Sequence, residues 1–87
     1  MENPQAKTNK IRDVRHRYQD ELMAKANVVG VGIGLRQQAG ERTDEPALVV
    51  MVSKKVPLWQ LSPEDIIPAT LDGVPVDVQE IGELRAL

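Results

Sequence analysis

Nucleophilic chemistry in this chain would have to pass through one histidine, His16, and two serines, Ser53 and Ser62. A Ser-His-Asp triad needs an imidazole beside the hydroxyl and an acid behind it, often with the serine on a glycine-flanked elbow. Neither serine has a glycine neighbour. Ser53 precedes Lys54 and Lys55 at the end of an apolar run. Ser62 stands before Pro63, Glu64 and Asp65, which is the pattern of a helix start: a serine cap, proline in the first turn and acids near the positive end of the dipole. His16, between Arg15 and Arg17, falls on the polar side of a helical pattern. The acid pairs Asp44-Glu45 and Glu64-Asp65 are sequence neighbours in turn and cap contexts, so no spacing sets two carboxylates across a cleft. Cysteine is absent, which removes thiolate chemistry and a disulfide frame, and no metal-ligand cluster of the usual types stands out. These residues point to a non-catalytic module with no cofactor and no metal.

One stretch invites a nucleotide. In Asn27–Gln38, NVVGVGIGLRQQ, glycine recurs at Gly30, Gly32 and Gly34. A dinucleotide fingerprint needs G-x-G-x-x-G between a strand and a helix, so that backbone N–H groups and the helix dipole meet a pyrophosphate. Here Leu35 holds the position of the third glycine, and the polar run after it, with Gly40 and Pro46, predicts a turn and not a helix. No Lys-Ser or Lys-Thr pair supplies a P-loop. The alternative is a strand with Val29, Val31, Ile33 and Leu35 on one face and the three glycines on the other. Interior glycine marks a close approach of other atoms. Either a helix or loop of the same chain or a partner chain is expected on that bare face, which makes Gly30, Gly32 and Gly34 interaction candidates.

The elements around this strand follow from periodicity. Ile11, Val14, Tyr18, Leu22 and Ala26 form one stripe of an amphipathic helix from about Asn9 to Ala26, capped by Thr8 or Asn9, with Arg12, Arg15, His16 and Arg17 toward solvent. PALVVMVSKK, Pro46–Lys55, is apolar on both alternate sets, as a central strand should be. Pro68 stops the short helix that begins at Ser62. Asp72-Gly73 predicts a tight hairpin turn between Ala69–Leu71 and a last strand in which Val74, Val76 and Val78 alternate with Pro75, Asp77 and Gln79. Pro75 lacks a ladder donor and argues for a sheet edge. The expected fold is α+β: an N-terminal amphipathic helix packed on a small three- to four-stranded sheet, with a short helix before a C-terminal hairpin. Residues 1–8 are expected to be a flexible tail and residues 9–87 a single domain.

Composition limits the partners. The chain has 87 residues, no phenylalanine, and only Tyr18 and Trp59 as aromatics. A chain of this size buries only about 60–65% of its unfolded surface, so a thin aliphatic core makes partner-assisted stability attractive. Residues 1–25 carry six bases against four acids, and the remainder five against nine. That polarity is too weak for a nucleic-acid binder, and the basic helix lacks interleaved aromatics. With no apolar run long enough for a membrane span, no signal-peptide pattern and no cysteine, the expected compartment is the cytoplasm, without membrane or nucleic-acid partners. Trp59, in PLWQL, is either an exposed aromatic anchor or part of a satellite core under the PLWQL turn.

The motifs line up with one family. A basic helix is followed by Val29-Gly30-Val31-Gly32, then Thr43-Asp44-Glu45-Pro46, an apolar strand with Val49-Val50-Met51-Val52 ending in Lys54 and Lys55, Ile67-Pro68, and Asp72-Gly73-Val74-Pro75-Val76-Asp77-Val78-Gln79-Glu80-Ile81-Gly82. Over residues 10–87 this order resembles the region that precedes the catalytic domain in bacterial trypsin-like serine peptidases related to the plant narrow-leaf type. The sequence stops at Leu87, where the peptidase domain is expected to begin, so the resemblance carries over no catalytic residue. It implies a peptidase-associated module that docks on a trypsin-like domain, in cis or in trans, in folding support, inhibition or assembly. The alternative is a small structural assembly protein that forms homo-oligomers, or joins a larger complex, through sheet edges.

Overall fold

The computed structural model describes residues 4–82. Helix α1 (Pro4–Met23) leads into strands β1 (Val28–Gln38) and β2 (Glu41–Val52), two single 3-10 turns (Leu58–Gln60 and Pro63–Asp65), and strands β3 (Thr70–Leu71) and β4 (Val74–Glu80). The four strands form one mixed sheet in the order β1-β2-β4-β3. β1 pairs antiparallel with β2, β2 parallel with β4, and β3 antiparallel with β4. The α+β class, the single helix on a small sheet and the C-terminal hairpin are as the sequence predicts, with 3-10 turns in the place of the short helix.

The stripe on α1 does what its spacing requires. Ile11, Val14 and Leu22 are buried against Val31, Leu48, Val50, Val52 and Val74, and Tyr18 packs at the margin. Fully burying a side chain such as Leu22 or Leu48 contributes about 1.5–3 kcal/mol. The helix starts at Pro4, ahead of the expected Asn9, so Thr8 and Asn9 are interior helical residues and not caps. It also ends earlier, leaving Ala26 exposed beyond it. Asn27 reverses the chain with φ of 69°, a left-handed conformation that asparagine tolerates better than most residues. Asp65 and Glu64 then hold the exit: the Ala26 N–H donates to Asp65 Oδ1 at 3.0 Å, and Lys25 Nζ donates to the Glu64 carbonyl at 2.6 Å.

The basic residues of α1 are not all a solvated face. Arg17 donates to Asp72 Oδ2 at 2.7 Å and the Tyr18 hydroxyl donates to Asp72 Oδ1 at 3.1 Å. The helix thus grips the turn between β3 and β4. That turn has φ of 51° at Asp72 and 80° at Gly73, the two positive angles of a hairpin turn matched to strand twist.

Three strand readings change. The polar run after Leu35 is mostly strand, not loop: β1 and β2 continue to Gln38 and Glu41, and only Ala39 and Gly40, with φ of 53° and 81°, make the turn. The run is polar because the hairpin arm stands in solvent. Pro75 does not mark an edge strand either, since β4 lies between β2 and β3. Its ladder with β2 begins at Val76, so the donor missing from Pro75 falls just ahead of that ladder. A register shift between Val28 and Gly30 also breaks the predicted alternation, so that Val28 packs at the core margin in place of Val29.

Candidate interaction surface

The glycine face is built by β1, β2 and β4 on the side of the sheet away from α1. Gly30, Gly32 and Gly34 pair with Met51, Val49 and Ala47 of β2, and Val49 and Met51 pair in turn with Asp77 and Gln79 of β4. Among the described residues no helix or loop packs on the glycines. A Cβ at Gly30 would lie 3.0 Å from Met51 Cε, one at Gly32 3.7 Å from the same atom, and one at Gly34 3.0 Å from Val49 Cγ2. The close neighbour expected on this face is therefore the adjacent strand's own side chains.

β1 curls over β2 far enough for side chains of β4 to meet its backbone. The Gln37 N–H donates to Asp77 Oδ2 at 3.0 Å, and Gln79 Nε2 reaches the Leu35 carbonyl at 3.5 Å while donating to Asp77 Oδ2 at 2.9 Å. Side chains of β4 thus span β2 to hold the backbone of β1. Ala47 and Val49 are buried beneath this bridge, although no second layer of the described residues covers them. A groove of about 350 Å³ remains along Gly32, Gly34, Val49 and Met51.

The bend begins at an irregular step. The register shifts between Leu35 and Gln37, and Thr43-Asp44-Glu45 fall outside the paired positions of β2. Thr43 supplies bonds that the ladder lacks there: its hydroxyl donates to the Arg36 carbonyl at 2.8 Å and accepts from the Glu45 N–H at 3.2 Å. An Arg36–Glu45 ion pair at 3.3 Å closes the outside. Residues of the Thr-Asp-Glu-Pro motif therefore shape a bulge, a device that bends a strand and raises its twist.

Trp59 stands apart from this face. It is 81% exposed in the first 3-10 turn, and its neighbour Leu58 is 66% exposed. The satellite-core alternative does not hold for a ring this open. Beside the turn is a cleft of about 270 Å³ lined by Val52, Val56, Leu58, Leu61, Ile67 and Val78, with Lys54 and Lys55 also contributing. The Lys55 N–H is fixed by Glu80 Oε1 at 2.7 Å. Sequence reasoning singled out Trp59 but missed the cleft and Leu58; two large apolar residues together between Pro57 and Pro63 were the available signal.

The residues considered for chemistry are not assembled. His16 lies exposed on α1, Ser62 precedes the second 3-10 turn without a side-chain cap bond, and Ser53 is fixed through its N–H to the Asn27 carbonyl at 2.9 Å. Among the described residues no hydrogen bond joins His16 to either serine, and no group of three or more His, Cys, Asp or Glu is placed to hold a metal. Among them, too, no helix is long and apolar enough to cross a membrane.

This bent sheet with its helix, bulge and gripped hairpin turn spans the segments that carry the sequence motifs. A search of curated proteins finds no match. The model of the NARROW LEAF 1 N-terminal domain matches residues 5–80, and the chain belongs to that family.

Proposed function

We propose that this domain is a non-catalytic docking module of trypsin-like serine peptidases, binding such a domain in cis or in trans to support its folding, inhibit it or assemble it. The observation that carries the reading is the exposed Trp59 beside an apolar cleft at the end of the sheet where β4 finishes. The Ile81 N–H donates to the Val52 carbonyl at 2.9 Å, and Val52 lines that cleft. Binding hot spots are enriched in tryptophan and form where a partner excludes water from the ring. The reading needs no hydroxyl or imidazole chemistry, and a cytoplasmic setting is proposed with it because a chain without cysteine suits a reducing compartment.

Calorimetric titration of this chain with the catalytic domain of a narrow-leaf-type peptidase is the test. Binding is expected, and Trp59→Ala is expected to weaken it about thirtyfold, the effect of a hot spot worth about 2 kcal/mol. No heat and no co-elution would sink the reading. A second reading, self-assembly through sheet edges, is favoured by one observation: β1 is an edge strand.

A further inference from the structure

We propose that a second copy of this chain pairs antiparallel with the outer edge of β1, with Gly32 of each copy at the two-fold axis. The proposal deepens the self-assembly reading and rests on it. Between its two register shifts, β1 runs regularly from Gly30 to Leu35. Among the described residues no backbone hydrogen bond ties Val29–Gly34 to anything but β2. Sheet edges are ordinarily blunted by proline, by lysine, by an inward charge or by a bulge, and the register shifts of β1 lie outside Gly30–Leu35. Gly30–Leu35 has none of these, and the first charge on the strand is Arg36.

The sequence of this edge says what covers it. A two-fold contact sets a surface against itself, so the residues on either side of the axis must match one another. Outward from Gly32 the chain is the same in kind in both directions: Val31 and Ile33, then Gly30 and Gly34. Antiparallel pairing about Gly32 puts Val31 against the partner's Ile33 on the helix side of the sheet. On the other side it puts Gly30 against the partner's Gly34. Branched apolar side chains meet branched apolar side chains, and no like charges are opposed. Ile33 and Leu35 are each 38% exposed on the helix side, and the pairing adds cover to Ile33 that α1 does not provide. A strand of unrelated sequence would satisfy the same backbone groups, but it would have no cause to match this symmetry.

Light scattering at micromolar concentration is expected to give twice the mass of one chain. Gly32→Cys, the sole cysteine in that variant, is expected to lock the pair as a disulfide under mild oxidation. Residues opposed across an antiparallel pair have Cα atoms about 4.5–5.5 Å apart, within the disulfide range of about 4.4–6.8 Å. The site accepts the side chain, since a Cβ there lies 3.7 Å from Met51 Cε. Trp59→Cys should stay unlinked, and Ile33→Glu should return the mass to that of one chain while circular dichroism stays unchanged. A single-chain mass for the unaltered protein overturns both the pairing and the self-assembly reading. A dimer that Gly32→Cys fails to lock, or that Trp59→Cys locks instead, overturns the β1 pairing and leaves self-assembly standing.

Discussion

The two faces of β2 reach burial by different means. Leu48, Val50 and Val52 are covered by a second layer, the apolar stripe of α1. Ala47 and Val49 have no such layer among the described residues, yet they are also buried, because β1 bends over them and Asp77 and Gln79 tie the bend in place. A small domain with few aromatics can thus shield both faces of its central strand with one helix. The cost falls on β1, whose inner face has least room at Gly34, where a Cβ would lie 3.0 Å from Val49 Cγ2. Covered burial depends on side-chain volume, while bent burial depends on its absence.

That contrast can be broken from either side. Leu48→Ala removes a fully buried side chain beneath the helix and should cost about 2–5 kcal/mol, read as a lower urea midpoint with unchanged slope. On the other face the damaging change is an addition. Gly34→Val should cost about 1–3 kcal/mol, because its Cβ meets the stiff Val49 at 3.0 Å. Gly30 faces the end of a flexible methionine and Gly32 has room, so Gly32→Ala should cost clearly less than Gly34→Val. Equal losses at Gly32 and Gly34 would show that the bend does not depend on this contact.

The polar ties are smaller levers. Asp77→Ala removes the acceptor of the Gln37 N–H and should cost about 0.5–1.5 kcal/mol. It should also speed hydrogen exchange at Gln37 while leaving α1 amides as they were; unchanged exchange at Gln37 would mean that the bend holds without the bridge. Smallest is Arg17→Ala, which frees Asp72 from a pair whose partners are 67% and 37% exposed. About 0.2–1 kcal/mol is expected, shrinking as salt is added. A loss indifferent to salt would assign the contribution of Arg17 to packing and not to charge.

The covered face was the legible one. Ile11, Val14 and Leu22 announce a helix because their spacing repeats, and β2 needs no alternation to be read, since Ala47–Val52 is apolar on both sides. Asp72-Gly73 is equally readable, because few dipeptides suit two positive φ angles so well. The bent face hid its logic. Glycines at Gly30, Gly32 and Gly34 signal a close approach but not its source, and Met51 and Val49 lie on a strand read as core. The arm beyond Leu35 escaped because its strands have no buried side to impose alternation, leaving Gly40 and Pro46 to suggest a loop. Pro75 misled because an edge is only one place where a missing donor is harmless; the start of a ladder is another. Trp59 was visible by type, whereas its exposure follows from how the 3-10 turn stands off the sheet.

The pairing of β2 with two unlike neighbours also bears on how fast the domain forms. β1 and β2 meet through a two-residue turn, a closure that hairpins complete in about 1–10 μs. β4 can join β2 only in parallel, after the whole segment from Ser53 to Gly73 has looped back, and such distant pairing slows folding. The finished hairpin is then the template on which the last strand is laid. Chevron measurements should accordingly find that weakening the β1–β2 hairpin slows refolding, while weakening β4 mainly hastens unfolding.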